Sequence, residues 1–136
     1  VLTCYATTIR HMGPVGSGHA AKLISNFLVT GMIALVAQAF ETARKADIDW
    51  RSLYDVMLNG SGNSGVLRKM VAPALDGDFE GYKFSLANAA KDIGYFKALA
   101  SSLGMEALLA GAVEDVFSAA IAKGHGQWNV SRLLDL

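Results

Sequence analysis

The stretch GPVGSGHAAKLISNF, residues 13–27, determines how the rest of the chain is interpreted. It places three glycines within six residues, directly before an apolar segment that continues without proline to Ala46. Apolar residues recur there at helical spacing in two stripes, one through Leu23 and one through Ile24, which predicts a single helix of about 28 residues. A helix that is apolar on most of its circumference must be surrounded by protein. We therefore expect it to be the central helix of the fold.

Shorter helical patterns follow this long helix. They are WRSLYDVMLN (50–59), GVLRKMVAPAL (65–75, broken near its proline), LANAAKDIGYFKALASSL (86–103), MEALLAGAVEDVFSAAIAKG (105–124) and the short tail NVSRLLDL (129–136). Asp49, Ser85 and either Asn63 or Ser64 are suited to cap the helices that they precede, and Gly104 is a typical helix stop.

Strand-like composition is confined to LTCYATTI, residues 2–9, which has no later partner strand to pair with. The predicted fold class is therefore all-α, a helical bundle built around one long central helix.

Composition limits the classes of partner and compartment. The 136 residues are 52% hydrophobic, and 12 basic residues balance 12 acidic ones, so we expect one globular domain that does not bind nucleic acid. The apolar run in residues 26–41 is shorter than the roughly 20 residues that cross a bilayer, so no membrane partner is expected. With Cys4 as its single cysteine and no signal-peptide pattern at its start, the chain is predicted to be cytoplasmic.

The residues typical of metal centres are dispersed in the sequence. His11, His19 and His125 lie far apart, and the chain has one cysteine. Protein metal sites need several such ligands at short spacing. No metal is expected.

The glycine-rich stretch allows three interpretations. Gly16-x-Gly18-x-x-Ala21 satisfies the dinucleotide-binding pattern G-x-G-x-x-G/A, but the helix after it is too long and leads to another helix instead of a second strand, so this interpretation is disfavoured. A second interpretation makes Lys22 an ordinary surface lysine. The third notes that Lys22 and Asn26, four residues apart, share one helix face beside a helix start that favours anions. An amine and a carboxamide in that position are suited to meet a carboxylate or a hydroxyl.

This stretch resembles the glycine-rich lead-in to the interdomain helix of β-hydroxyacid dehydrogenases, the group that contains 3-hydroxyisobutyrate dehydrogenase and tartronate semialdehyde reductase. The family pattern G-x-x-G-x-G-x-x-x-K-x-x-x-N is met in register by residues 13–26. A second family signature, an aromatic residue followed by a Lys-Asp pair, resembles Phe84, Lys91 and Asp92. His19 and Ser25 depart from the family's usual Gln and Asn, which leaves substrate preference open.

The resemblance covers nearly the whole chain from about residue 12, and it implies a fold like the C-terminal domain of 6-phosphogluconate dehydrogenase. Residues 1–12 would then be a remnant of a linker or preceding domain, and residues 13–136 the C-terminal helical substrate and catalytic domain. The family's N-terminal Rossmann domain, which holds most of the NAD or NADP, is absent from this sequence. We expect the chain alone to be inactive for that reason.

The resemblance also implies a role for each site residue. In the family a hydride passes between NAD(P) and a small 3-hydroxy acid or its semialdehyde. Lys22 would be the general acid/base, and the cofactor would meet Lys91 and Asp92, with Asp92 supporting Lys91 or a neighbouring loop. The implied substrate-binding residues are Gly16, Ser17, Gly18, Asn26 and Phe84.

An alternative hypothesis is a helical dimerisation or interaction module without chemistry. Its support is the very apolar helix of residues 23–40 and the high apolar content, which is more than a small domain easily buries. The two hypotheses are compatible, and under both we expect a homo-oligomer.

Overall fold

The computed structural model describes residues 8–136, which form five α-helices, a π-helical turn and a terminal 3-10 helix. Their bounds are α1 Ser17–Lys45, α2 Trp50–Leu58, α3 Gly65–Ala74, α4 Leu86–Ser102, α5 Leu108–Ala120, the π-helical turn Ile121–His125 and the 3-10 helix Val130–Asp135. Within this range there is no strand, and a single isolated bridge pairs Ser85 with Asn129. The strand-like residues 2–9 lie outside the described range except for the last two.

Helix α1 runs for 29 residues, as its uninterrupted pattern predicts. Gly16 precedes it in the left-handed region, with φ 94°, a conformation that glycine adopts without strain. No side chain caps its first turn, whereas Arg44 and Lys45 lie in the last turn, where positive charge complements the helix dipole.

The inner face of α1 carries the core of the molecule. Ile33 and Phe40 are fully buried, and α1 packs against α3, α4, α5 and the 3-10 helix. Edge-to-face contact joins Phe40 to Trp50 of α2, and stacking joins Phe27 to Phe96 of α4. One long helix thus links the other elements of the described chain.

The outer face of α1 does not match the expectation of a helix surrounded by protein. Ile24, Leu28 and Leu35 are 55%, 63% and 68% exposed. The elements that pack on α1 all cover the side centred on its buried residues and leave the opposite side open. The expectation was wrong because two apolar stripes need not both be covered within one chain.

Length and composition alone would also allow α1 to cross a membrane. One third of its most apolar 18-residue window is buried inside the protein. Core helices of water-soluble proteins reach the same length and hydropathy, so these two properties do not establish a span.

The starts of the shorter helices follow the predicted caps. The carboxylate of Asp49 accepts a hydrogen bond from Ser52 N at 2.7 Å, and the hydroxyl of Ser85 accepts from Asn88 N at 3.3 Å. Of the two candidates before α3, Ser64 is the cap, since its hydroxyl accepts from Leu67 N at 3.0 Å. Gly104 follows α4 with φ 71°, the left-handed conformation expected at a helix stop.

Two helix boundaries differ from the predictions. Helix α5 begins at Leu108 instead of Met105, with no side-chain cap to extend it, and it passes into the π-helical turn, where Gly124 has φ 88°. Pro73 lies inside the last turn of α3 and does not break it. A proline there removes only one hydrogen bond, the one to the carbonyl of Lys69.

Gly81 lies directly against that part of α3. A Cβ atom at Gly81 would lie 2.6 Å from Lys69 O and 2.5 Å from Pro73 Cγ. Both distances are shorter than atoms tolerate, so only glycine allows the chain to pass this close before the residues Tyr82 to Phe84.

We predict that Gly81→Ala lowers the free energy of unfolding by about 1–3 kcal/mol, the usual cost of forcing an atom into a packed site. Gly111 in α5 is the control, because nothing lies within 4 Å of a Cβ added there. Gly111→Ala should raise stability by about 0.5–1 kcal/mol through the helix propensity of alanine. Urea unfolding followed by circular dichroism measures both; equal stability of the two variants would contradict the packing at Gly81.

Candidate active site

A cleft of about 260 Å³ lies between α1 and the loop that precedes α4. Asn26 and Val29 contribute the α1 wall, and Tyr82, Lys83 and Phe84 contribute the loop wall. The cleft therefore joins the two sequence signatures, which are far apart along the chain.

Lys22 lies one helical turn before Asn26, on the same face of α1. Its side chain is exposed, and its ammonium forms no hydrogen bond or ion pair with any of the residues 8–136. Lys22 does not itself line the cleft, but a lysine without a fixed partner one turn from the cleft-lining Asn26 is available to a ligand. The structure does not enclose it, so this chain leaves one side of the site open.

Asn26 is held by a residue of α4. Its side-chain amide donates a hydrogen bond to the Asp92 carboxylate at 2.8 Å, and both residues are half-buried. The bond joins α1 to α4 over 66 positions of sequence. Because a carboxylate only accepts hydrogen bonds, the group of Asn26 that faces Asp92 must be its NH₂ group. The side-chain oxygen of Asn26 is therefore left for another donor.

Thr30 lies one helical turn after Asn26, on the buried side of α1. Thr30 is 1% exposed, and its hydroxyl donates to the carbonyl oxygens of Asn26 and Phe27 at 2.9 and 3.0 Å. The hydroxyl is therefore satisfied inside the helix and is not offered to a ligand.

The glycine-rich lead-in leaves backbone accessible at the start of α1. Ser17 N donates to Pro14 O at 3.0 Å, which turns the chain into the helix, and no acidic side chain occupies the first turn. No atom lies within 4 Å of a Cβ added at Gly16 or Gly18. The peptide groups around Gly16, Ser17 and Gly18 are therefore open to a ligand, at the positive end of the helix dipole.

The two residues of the Lys-Asp pair of α4 form hydrogen bonds with different partners. Asp92 accepts from Asn26, whereas the Lys91 ammonium donates to Asn88 Oδ1 at 3.3 Å and is otherwise exposed. The expectation that Asp92 supports Lys91 or a neighbouring loop is thus corrected. Consecutive residues of a helix point about 100° apart, so Asp92 faces α1 and Lys91 does not.

The loop wall of the cleft is fastened by the C-terminal segment. Ser131, fully buried, donates from its hydroxyl to Phe79 O at 2.7 Å and accepts from Tyr82 N at 3.2 Å. The backbone N–H of Val130 donates to Phe84 O at 2.8 Å. These bonds hold the short loop in place, so the last residues of the chain position the cleft without lining it.

Sequence reasoning missed several of these residues. Tyr82 and Lys83 line the cleft, and their position directly before Phe84 was the available signal. Ser131 gave no signal, because a serine in a short C-terminal helix is common on protein surfaces. Its role depends on a contact across 52 positions.

Shifted pKa values occur away from the cleft. A hydrogen bond from Lys45 lowers the pKa of Glu41 near the other end of α1, and the backbone N–H of Ser52 lowers the pKa of Asp49 at the start of α2. These two carboxylates stabilise helix ends and take no part in the site.

Across the described range, 8–136, no three His, Cys, Asp or Glu side chains converge as a metal site requires. The polar side chains that line the cleft are instead the amine of Lys83, the phenol of Tyr82 and the carboxamide of Asn26, which is hydrogen-bonded to Asp92. Such groups suit an organic anion with hydroxyl groups.

Comparison with known proteins identifies the family of the chain. Residues 16–136 match the family described as "NAD-binding of NADP-dependent 3-hydroxyisobutyrate dehydrogenase". The chain belongs to this family. The chain is similar to an L-threonate dehydrogenase of Pectobacterium atrosepticum, with 31% identity over the whole of this chain and 45% of the relative's length. A probable 3-hydroxyisobutyrate dehydrogenase of Mycobacterium tuberculosis is 29% identical over 98% of this chain and 47% of its own.

Solved structures of the 3-hydroxyisobutyrate dehydrogenase family share the fold. The Salmonella typhimurium enzyme superposes with a TM-score of 0.81 at 28% identity over 88% of this chain and 42% of its own. A Mycobacterium tuberculosis 3-hydroxyisobutyrate dehydrogenase, solved with L-serine, superposes with a TM-score of 0.82 at 28% identity. The match covers 96% of this chain and 46% of that enzyme's chain. The chain spans less than half the length of these relatives. The predicted all-α fold and the family resemblance are both confirmed, and the family is one of oxidoreductases that use a nicotinamide cofactor.

The bond between Asn26 and Asp92 predicts coupled effects on stability. Asp92→Ala should lower the free energy of unfolding by about 1–2 kcal/mol, because it leaves a half-buried amide without its acceptor. Asn26→Ala should do the same, and the double variant should lose about 1 kcal/mol less than the sum of the two. Thermal and urea unfolding of the four proteins give this coupling energy. Strict additivity would mean that the bond contributes nothing.

Proposed function

We propose that this chain is the substrate-side, catalytic half of an NAD(P)-dependent β-hydroxyacid dehydrogenase. The observation that carries the proposal is the pairing of Asn26 with Asp92, which holds a carboxamide at the cleft one turn after Lys22. The family membership supports the reaction class. The substrate that we propose is a small 3-hydroxy acid or its semialdehyde, the kind of compound for which the relatives are named.

In this proposal Lys22 is the general acid/base. Its exposed amine takes the proton from the substrate hydroxyl during oxidation and returns it during reduction. An amine that is already tied to a carboxylate would exchange protons less readily, and Lys22 has no such tie among the described residues.

Asn26 orients the substrate for that proton transfer. Its amide nitrogen is engaged by Asp92, so its oxygen is the group that can accept a hydrogen bond from a substrate hydroxyl. Asp92 acts as a positioning residue through Asn26. The open backbone at Gly16, Ser17 and Gly18 allows close approach of the substrate, and Phe84 covers the cleft from the loop side.

Residues of this chain also fit one side of a nicotinamide cofactor. Lys91 is exposed in the second turn of α4, and its ammonium has only a long bond to Asn88, so it can meet an anionic group of the cofactor. When bound, the nicotinamide supplies or accepts the hydride. A complete dinucleotide cradle is a βαβ unit, in which a short helix after the glycine loop leads to a second parallel strand. Here the helix after the loop runs for 29 residues and is followed by another helix. Most of the cofactor contact is therefore assigned to a separate N-terminal Rossmann domain, the partner that we propose for residues 13–136.

This division of the site predicts that the 136-residue chain alone has no measurable turnover with NAD or NADP. Spectrophotometry at 340 nm with several small 3-hydroxy acids would test it. Robust turnover by this chain would show that the cofactor is held entirely here and would contradict the proposed division.

A cytoplasmic location stays a prediction.

In the complete enzyme, Lys22→Ala should lower kcat by about 10²–10⁴-fold, the range for loss of a general acid/base. Lys45→Ala, which removes an exposed lysine at the other end of α1, is the control and should leave kcat unchanged. Initial rates with saturating cofactor, alongside circular dichroism spectra, separate catalysis from folding. A Lys22→Ala enzyme with a normal rate would remove this residue from the role assigned to it.

The second candidate function is a helical association module. The observation that favours it is the exposed apolar face of α1, which the described chain does not cover. Self-association and catalysis can coexist when they use different faces of α1.

A further inference from the structure

Lys83 lines the cleft, but the proposed reaction gives it no role. It lies on the loop wall between Tyr82 and Phe84, and among the described residues it is the only charged side chain that lines this cleft. The side chain is exposed, and its ammonium forms no hydrogen bond or ion pair within the part of the chain that the structure describes. An unpaired cation on a cleft wall is available to a ligand.

The backbone at Lys83 is fixed. Phe84 N donates to Tyr82 O at 3.0 Å, which makes Lys83 the middle residue of a three-residue turn. The residue before it is bonded to the C-terminal segment, since Tyr82 N donates to Ser131 Oγ at 3.2 Å. The residue after it is bonded to the same segment, since Phe84 O accepts from Val130 N at 2.8 Å. The ammonium of Lys83 is therefore presented from a fixed Cα, which confines it to one part of the cleft.

The carboxylates near the loop already have partners. Glu80 precedes Lys83 by three residues, and its carboxylate lies 3.3 Å from Arg132 Nη1. On the α1 side of the cleft, the Asp92 carboxylate accepts a hydrogen bond from Asn26 at 2.8 Å. Because each carboxylate is engaged elsewhere, the positive charge of Lys83 is left for a ligand.

The loop wall and Lys22 lie at different levels along α1. Lys22, Asn26 and Val29 are spaced by four and three residues, so they share one face of the helix. At a helical rise of 1.5 Å per residue, Val29 is about 10 Å along the axis from Lys22. The loop wall with Lys83 faces the Asn26 and Val29 part of that face. A substrate whose hydroxyl meets Lys22 can therefore extend along α1 toward Lys83.

The start of α1 suits the opposite end of such a substrate. The backbone at Gly16, Ser17 and Gly18 is open, and no acidic side chain occupies the first turn. Free N–H groups at a helix start favour a carboxylate. When its carboxylate lies there and its 3-hydroxyl meets Lys22, a small acid has its fourth carbon on the side of Lys83.

Lys83 and Tyr82 together complement a hydroxyl group. An ammonium only donates hydrogen bonds, whereas a phenol can also accept one, so the pair can satisfy both the oxygen and the proton of a hydroxyl. The Lys69 ammonium lies 5.1 Å from the centroid of the Tyr82 ring, and the phenol oxygen forms no hydrogen bond with any described residue. A methyl group at this place would displace water from the amine without replacing its hydrogen bonds.

We propose that Lys83 is a specificity-determining residue, which binds a hydroxyl on the fourth carbon of the substrate. It thereby selects a four-carbon polyhydroxy acid over acids that end in a methyl group or have only three carbons. The inference rests on the proposed function, because the role of Lys22 sets where the substrate lies. It adds the end of the substrate that the catalytic residues do not contact.

Steady-state kinetics of the complete enzyme test this role. The two substrates are 2,3,4-trihydroxybutanoate and 2,3-dihydroxybutanoate of the same configuration, which differ only in the hydroxyl on the fourth carbon. The unaltered enzyme should have a kcat/KM about 10–100-fold higher for the trihydroxy acid, the range for one hydrogen bond from a charged donor. Lys83→Met keeps an unbranched side chain without the amine, and it should lower kcat/KM for the trihydroxy acid alone.

Three further variants separate binding from structure. Lys83→Arg keeps a positively charged donor and should retain most of the preference. Tyr82→Phe keeps the ring, removes the acceptor and should lower the preference by a smaller factor than Lys83→Met. Lys123→Met is the matched control, because Lys123 is exposed and lines a groove with Glu41 near the other end of α1. It should leave kcat/KM for both acids unchanged.

Three results would overturn the inference. They are equal kcat/KM for the two acids in the unaltered enzyme, a preference that Lys83→Met leaves unchanged, and an equal loss on both acids, which would indicate a structural role. A Lys83→Met enzyme whose only change is a higher KM for NAD or NADP would also overturn it, since the amine would then contact the cofactor.

The failure of this inference differs from the failure of the proposed function. If the complete enzyme turns over neither acid with NAD or NADP, the proposed function is contradicted and this inference with it. If it turns over both acids without preference, only the role of Lys83 is contradicted, and the role of Lys22 stands.

Discussion

Burial of one face of α1 is the constraint on which the other features depend. Ile33 and Phe40 are fully buried there, and α3, α4, α5 and the terminal 3-10 helix each pack on the same side. Helix α1 is too long for one small bundle to surround. Its inner face is therefore the core, its first turns border the cleft, and its outer face is exposed.

The polar contact between α1 and α4 follows from that packing. Where the apolar contact of the two helices ends, Asn26 and Asp92 meet as a hydrogen-bonded pair and not as a surface charge pair. Half-buried polar groups must be satisfied, so the bond sets both the orientation of Asn26 and the position at which substrate can approach it. The catalytic hypothesis therefore rests on the same contact that aligns the two helices.

Local signals were sufficient to predict most of the fold. The unbroken apolar pattern predicted α1. Asp49 and Ser85 were recognisable caps, and Ser64 was one of two candidates, because a cap acts within three residues. Contacts between distant segments were not predictable in this way. Nothing near Asp92 indicated Asn26 as its partner, and nothing near Ser131 indicated the loop at Tyr82. The open outer face of α1 was missed for the same reason, because periodicity reports which residues are apolar and not what covers them.

The role of Lys22 as proton donor and acceptor is tested most directly by chemical rescue. Small primary amines, added to the Lys22→Ala form of the complete enzyme, should restore turnover in proportion to their concentration, with a rate that depends on the pKa of the amine. Such a dependence arises when an amine moves a proton in the rate-limiting step. If no amine accelerates the Lys22→Ala enzyme, or if amines accelerate an Asn26→Ala enzyme equally, the account of this site is contradicted.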